Sequence, residues 1–215
     1  MNDIFVYPLQ NSKEYKDIIN CINNNKGSLL INGLLAVQKP HIAYSMYRDL
    51  NRQTIFITNS DLEAKKVYDD LSFYMKDKVE YIGFQDILFY HLDAKDRSEE
   101  AKRLKVLLKL AKGENIILVT SIEAVMRKYI PKEILLENIY TYKIGDVINL
   151  EKLSETLVNL GYERVSKIEG FGQFSIRGGI VDIFSLEYNN PIRMELFDDE
   201  IDSIRTFDVF SQKSI

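Results

Sequence analysis

The segment GLLAVQKP, residues 33–40, is the place where this sequence comes nearest to nucleotide chemistry. A phosphate-binding loop, G-x-x-x-x-G-K-[ST], needs a strand, a loop of glycine-rich backbone N–H donors, a lysine for the phosphates and a hydroxyl for magnesium. Gly33 and Lys39 fit that pattern. Gln38 stands where the second glycine is required, and Pro40 stands where Ser or Thr would ligate the metal. Proline supplies neither the hydroxyl nor a backbone N–H. The intervening Leu34, Leu35, Ala36 and Val37 are bulky and apolar, better suited to packing than to wrapping phosphates. No acidic residue closes a later strand as a magnesium partner. The fourth strand candidate ends in Thr120-Ser121, where Ser121 is placed to cap a short helix. Gly33, Gln38, Lys39 and Pro40 are therefore expected to form a degenerate, non-functional loop that binds ATP negligibly.

Other reactive groups are few. Cys21 is the single cysteine among 215 residues, which excludes an internal disulfide framework and a cysteine zinc cluster. It lies in a helical pattern beside Ile22, with no base to activate it. His41, near a helix start, and His91, in an aromatic stretch, lack acidic or cysteine companions at metal-ligand spacing. Asp198, Asp199 and Glu200 lack the alternation of a calcium loop and are expected at a solvated hairpin tip. Lys102, Arg103, Lys105, Lys109 and Lys112 give one helix a basic face, preceded by Glu99 and Glu100 in the dipole-favourable order. A solvated surface is the plain reading of that face and a phosphate-backbone contact the other, so a weak DNA-binding module stays open as the alternative function.

The elements that must position these residues follow from periodicity. Helical patterns are expected at 11–25, 39–50, 61–75 and 98–111, alternating with short apolar strands at 28–31, 54–58, 79–82 and 115–120. Strands separated by helices indicate an α/β domain with a parallel sheet over residues 1–129. The stretch 84–94 fits neither period and is expected to be an ordered, aromatic-rich loop. Beyond Pro131 the character changes. A strand at 138–144 and a helix at 149–160 precede a run of strand candidates at 162–168, 173–177, 179–186, 191–197 and 201–209. The turns at 189–191 and 198–200 would let successive strands pair antiparallel. Residues 130–210 are thus expected to form a smaller α+β domain with a mostly antiparallel sheet. The formal charge of −4 divides unevenly, the first 130 residues carrying a small positive balance and the rest a clear negative one. An electrostatic grip on nucleic acid centred in the second domain is therefore disfavoured. No apolar run reaches the roughly twenty residues of a membrane span. The N-terminus has no signal-peptide pattern, so the expected location is cytoplasmic.

The most specific segment is 170–215, with RGGIVDIF, then PIRMELFDDEIDSIRTFD, then a terminal SQKS. It resembles the bacterial transcription-repair coupling factors, in the part of their N-terminal module that is similar to the excision-repair protein UvrB. The segments at 28–50, 57–74 and 119–131 agree, so the resemblance covers essentially the whole chain. UvrB itself carries a working phosphate loop where this sequence has GLLAVQKP, and that departure favours the coupling factors.

The resemblance implies a first domain like a degenerate P-loop, helicase-like domain and a second domain that docks UvrA. It implies no catalysis and no cofactor here. An ATP- and magnesium-dependent translocase, and the contacts with RNA polymerase and DNA, would lie elsewhere in a longer protein, whose C-terminal region would mask the docking surface at rest. No membrane is involved. Residues 211–215 would begin a truncated continuation. The contact positions implied are Arg177, Arg193 and Phe197. Alternation in PIRMELF sets Ile192, Met194 and Leu196 on one face and Arg193, Glu195 and Phe197 on the other. An outward Phe beside an Arg has the make-up of a small binding hot spot. Two alternatives remain open at this point: a local bulge returning Phe197 to the core, and Arg177 pairing with Asp182 or Glu195 as scaffold.

Overall fold

A computed structural model describes residues 3–24, 27–84, 98–185 and 187–215; the aromatic stretch 84–94, except Phe84, and with it His91, lies outside the described residues. The chain divides into two compact units, Met1–Gln85 with Lys109–Tyr129 and Asp86–Leu108 with Ile130–Ile215.

In the first unit, α1 (Tyr7–Gln10) and α2 (Lys13–Asn23) lead to α3 (Gln38–Leu50), β1 (Thr54–Thr58), α4 (Asp61–Tyr74) and β2 (Val79–Ile82). Helix α5 (Ser98–Ala111) lies mostly in the second unit and ends in the first, where β3 (Ile117–Ser121) and α6 (Ile122–Val125) follow. The three strands form a parallel sheet in the order β1-β3-β2. All five residues of β3 are buried, as a central strand covered on both faces requires. Ala64, Val67 and Leu71 recur along one face of α4 and pack with Tyr44, Tyr47, Val79, Ile117 and Val119. Side-chain caps start the helices: the amide of Tyr15 donates to Ser12, that of Glu63 to Ser60 and that of Ala124 to Ser121. Gly113, at φ 73°, closes α5 while the amides of Gly113 and Glu114 donate to Leu110 and Lys109, a Schellman end.

The strand expected at 28–31 does not form. An isolated extended segment is stable as a strand only when its backbone groups join a ladder, and here β1 pairs with β3 alone. Residues 28–32 form no regular element between Gly27 and Gly33, both at positive φ, with Leu30 81% exposed.

In the second unit, α7 (Lys132–Glu137) and α8 (Leu150–Asn159) precede β4 (Glu163–Arg164), β5 (Gln173–Arg177), β6 (Ile180–Ile183), β7 (Ile192–Phe197) and β8 (Glu200–Thr206). The sheet runs β4-β5-β6-β7-β8, antiparallel except for β4, which lies parallel to β5. An α/β unit with a parallel sheet and a unit with a mostly antiparallel one match the expected class. The strand expected at 138–144 is instead the turn after α7 and an irregular run. The pairing occurs just beyond it, where Gly145 and Ile148 donate to Ile201 and Asp199. Leu153 and Leu157 of α8 pack on Phe174, Val181, Met194 and Ile201, which fixes one face of the sheet as core.

Candidate functional site

The pleat that sends Phe174, Ile176, Val181, Ile183, Ile192 and Met194 to the α8 side sends their neighbours to the other. In register, Ser175, Asp182, Arg193 and Arg205 form one row across β5 to β8, and Arg177, Ile180, Glu195 and Ser203 form the next. Phe197 ends β7 beside Glu200. Adjacent strands are about 4.8 Å apart and alternate residues about 6.6 Å, so Arg177, Arg193 and Phe197 belong to one patch of one face.

The centre of the patch is Asp182, 1% exposed. Arg193 donates from Nε to its Oδ1 at 2.6 Å and from Nη2 to its Oδ2 at 2.8 Å. Arg177 donates from Nη2 to the same Oδ2 at 2.8 Å. A bidentate guanidinium on a buried carboxylate is the strong form of this interaction. The hydrogen bond to Asp182 raises the Arg193 pKa above its ordinary value against the opposing effect of burial. The Arg193 guanidinium also lies 4.5 Å over the ring of Phe207, a residue buried with Ile168 and Phe184 beside this row. Arg193 is thereby a largely enclosed side chain, 15% exposed, whereas that of Arg177 is 50% exposed. Next to them Arg205 pairs with Glu195. The pairing of Arg177 is with Asp182, one of the two scaffold partners expected for it.

Phe197 is 82% exposed, so it is not a core residue. A register shift does occur beside it, between Glu195 and Leu196, but the extra residue is Asp202 on β8, and Leu196 is the side chain that goes back to the core. Asp198, at φ 59°, turns the chain at the tip, and the 198–200 acids are exposed there. The two-glycine turn between β5 and β6 has a steric reason. A Cβ on Gly179 would stand 2.8 Å from the Leu196 carbonyl, because the Leu196 amide donates to Gly179 at 2.7 Å. RGG therefore brings the end of β7, and Phe197 with it, alongside Arg177.

The loop at 33–40 has a different character. Gln38 is the first residue of α3, and its side-chain Oε1 accepts from the Leu35 amide at 2.9 Å. The amides of Gln38 and Lys39 donate back to Leu35 and Ala36. Pro40 is buried in the first helical turn, where a missing N–H costs nothing. Gly33, Lys39, Leu35 and Val37 are exposed. Three of the loop's amides, those of Leu35, Gln38 and Lys39, are thus engaged within it. His41 is half-buried, with Nε2 2.6 Å from the Phe5 carbonyl and its ring stacked on Tyr74. Among the described residues, no group of three or more His, Cys, Asp and Glu could hold a metal, and no helix is long and apolar enough to cross a membrane. On the basic helix, Lys102 pairs with Glu99 and Lys109 with Glu80.

Arg205 and Phe207 belong to the patch without being expected there, and Asp182 is expected only as one possible partner of Arg177. The signal was present: in IVDI an acid interrupts an apolar run at the position that alternation sets opposite the core, on the same face as Arg177.

Residues 141–215 match the family model of the UvrB interaction domain. Over 208 residues, 96% of this chain and 18% of the relative, the chain is 33% identical to the transcription-repair-coupling factor of Bacillus subtilis. It is 34% identical over 190 residues to that of Staphylococcus aureus and 33% over 188 residues to that of Staphylococcus epidermidis, in each case over 16% of the relative. The chain spans less than a fifth of the length of the curated relatives it matches. With a parallel-sheet unit ahead of a UvrB interaction domain, the chain is a UvrB-like segment similar over most of its length to the transcription-repair-coupling factors.

Proposed function

We propose that this chain is a non-catalytic docking module whose second unit binds UvrA and so recruits nucleotide excision repair to stalled RNA polymerase. The observation that carries the reading is Phe197, a large aromatic ring 82% exposed beside a half-exposed arginine, on the open face of a UvrB interaction domain. A bare aromatic anchor flanked by a guanidinium is the composition of an interface hot spot. The clear negative balance of this half of the chain suits a protein partner with complementary charge better than DNA. On the same reading, ATP, magnesium, RNA polymerase and DNA are handled by other parts of a longer protein, and its C-terminal region covers this face at rest.

The test is a binding titration with UvrA. Phe197→Ala and Arg177→Ala are expected to weaken binding at least about tenfold and to leave the circular dichroism spectrum unchanged, because neither adds a charge beside Asp182 or empties the core. Unchanged affinity in both variants rejects the assignment. Arg193→Glu is a poorer probe: it sets a second carboxylate against buried Asp182, so it lowers fold stability along with binding.

A further inference from the structure

We infer that Asp182 is a positioning residue for docking, and that Arg177 and Phe197 face the partner while Arg193 acts from behind as a clamp. The inference rests on the docking reading above and divides the labour within it. Arg193 gives two donors to Asp182, lies over the Phe207 ring and is 15% exposed. That geometry anchors the carboxylate and leaves little of the guanidinium for a second protein. Arg177 gives Asp182 one Nη2 contact and is half exposed. A guanidinium carries five N–H donors in a fixed plane, so a single tether at one edge fixes the plane and leaves the other edge presented. Two guanidiniums on one carboxylate leave one net positive charge, and the exposure difference puts it at Arg177. The chemistry that fits this arrangement is a partner carboxylate opposite Arg177, next to an apolar pocket for Phe197.

Two roles for Asp182 predict opposite signs. If it only offsets the positive charge of the arginines, removing its charge would strengthen the attraction for a carboxylate. If it positions Arg177, removing its charge frees that side chain and weakens binding, since ordering the arginine is then part of the cost of association.

The experiment is a double-mutant cycle on the whole chain, titrated with UvrA. Asp182→Asn is expected to weaken binding about tenfold, and Arg177→Ala, costing about tenfold or more in the parent, is expected to cost less than about twofold in the Asp182→Asn background. Affinity that is unchanged or raised in Asp182→Asn, or an undiminished Arg177→Ala effect, overturns the inference. Should Asp182→Asn fail to fold, Arg177→Lys decides. It keeps the charge at an exposed site but lacks the fork, and it is expected to lose nearly as much as Arg177→Ala; retention of parental affinity overturns the inference. A readout without partner separates the two readings: nitrogen-15 relaxation of the Arg177 Nε–H group should report an ordered side chain in the parent and a mobile one in Asp182→Asn. Ordered relaxation with no UvrA binding sinks the docking reading alone, and equal mobility in both sinks the positioning role.

Discussion

The loop at 33–40 and the open face of the β5–β8 sheet both carry the residue types of a binding site, and they dispose of their polar groups in opposite ways. In the loop, the Leu35 amide is taken by Gln38, the amides of Gln38 and Lys39 turn back on Leu35 and Ala36, and Pro40 has none to give. Leu35 and Val37 face solvent, together with Gly33 and Lys39. On the sheet, one buried carboxylate holds two guanidiniums, and an arginine edge and a phenylalanine ring are left outward. A lysine and a glycine in the right order offer a phosphate fewer donors when neighbouring amides are engaged locally. A strand offers a partner more when its pairing fixes some groups and leaves others outward.

The contrast is broken most directly at Asp182. Asp182→Ala leaves Arg193 enclosed without its carboxylate, a change that costs about 3 kcal/mol after allowance for the solvent screening of the exposed Arg177. Hydrogen exchange resolved by segment should show the loss in β5–β8 amides, with β1–β3 unaffected. A loss below about 0.5 kcal/mol, the level of an ordinary surface change, would mean that the cluster is peripheral to the sheet.

Alkaline pH sharpens the same comparison, because the first unit holds three of its carboxylates with tyrosines. Tyr44 donates to Asp3, Tyr15 to Asp49 and Tyr81 to Asp61. Burial first, and the accepting carboxylate second, push Tyr44 up to about 12 and raise Tyr15 and Tyr81 as well. A folded-state pKa above the unfolded one gives stability that is complete below the ordinary tyrosine value of about 10 and is lost as pH climbs through the folded one. The first unit should therefore lose amide protection between about pH 10 and pH 12. In the second unit burial also raises Tyr142, but its buried carboxylate is held by arginines, which stay charged over that range. Earlier loss of protection in β5–β8 than in β1–β3 would contradict this order.

Much of the framework was legible because local signals and tertiary demands coincide. TIFIT and VEYI form strands with the expected ends, and the periodic stretch at 98–111 is helical from Ser98 to Ala111. The failures were tertiary. Residues 28–31 have the composition of a strand, yet a strand exists only where a neighbour offers a ladder, and a local window does not contain that neighbour. The same holds at 138–144, where pairing to the β7–β8 turn falls a few residues later. In the patch, alternation sufficed to set Arg193 and Phe197 on one face. It could not say that one would be enclosed and the other bare, since that depends on Asp182 arriving from β6 and Phe207 from just beyond β8.

The smallest expected effect concerns the loop. A ligand supplied at about one hundred times its dissociation constant adds about 2.7 kcal/mol to the state that binds it. That would move the thermal midpoint by several degrees for a unit of this size. Millimolar magnesium–ATP should leave the midpoint of this chain unmoved. Gln38→Gly tests the reason. It releases the Leu35 amide and restores the missing glycine, but Pro40 still supplies neither hydroxyl nor N–H, and Leu34 to Val37 still crowd the loop. No shift is expected in that variant either. A shift appearing there alone would mean that the Gln38 side chain is what closes the loop, and that the two regions differ by one engaged amide rather than by the whole build of the turn.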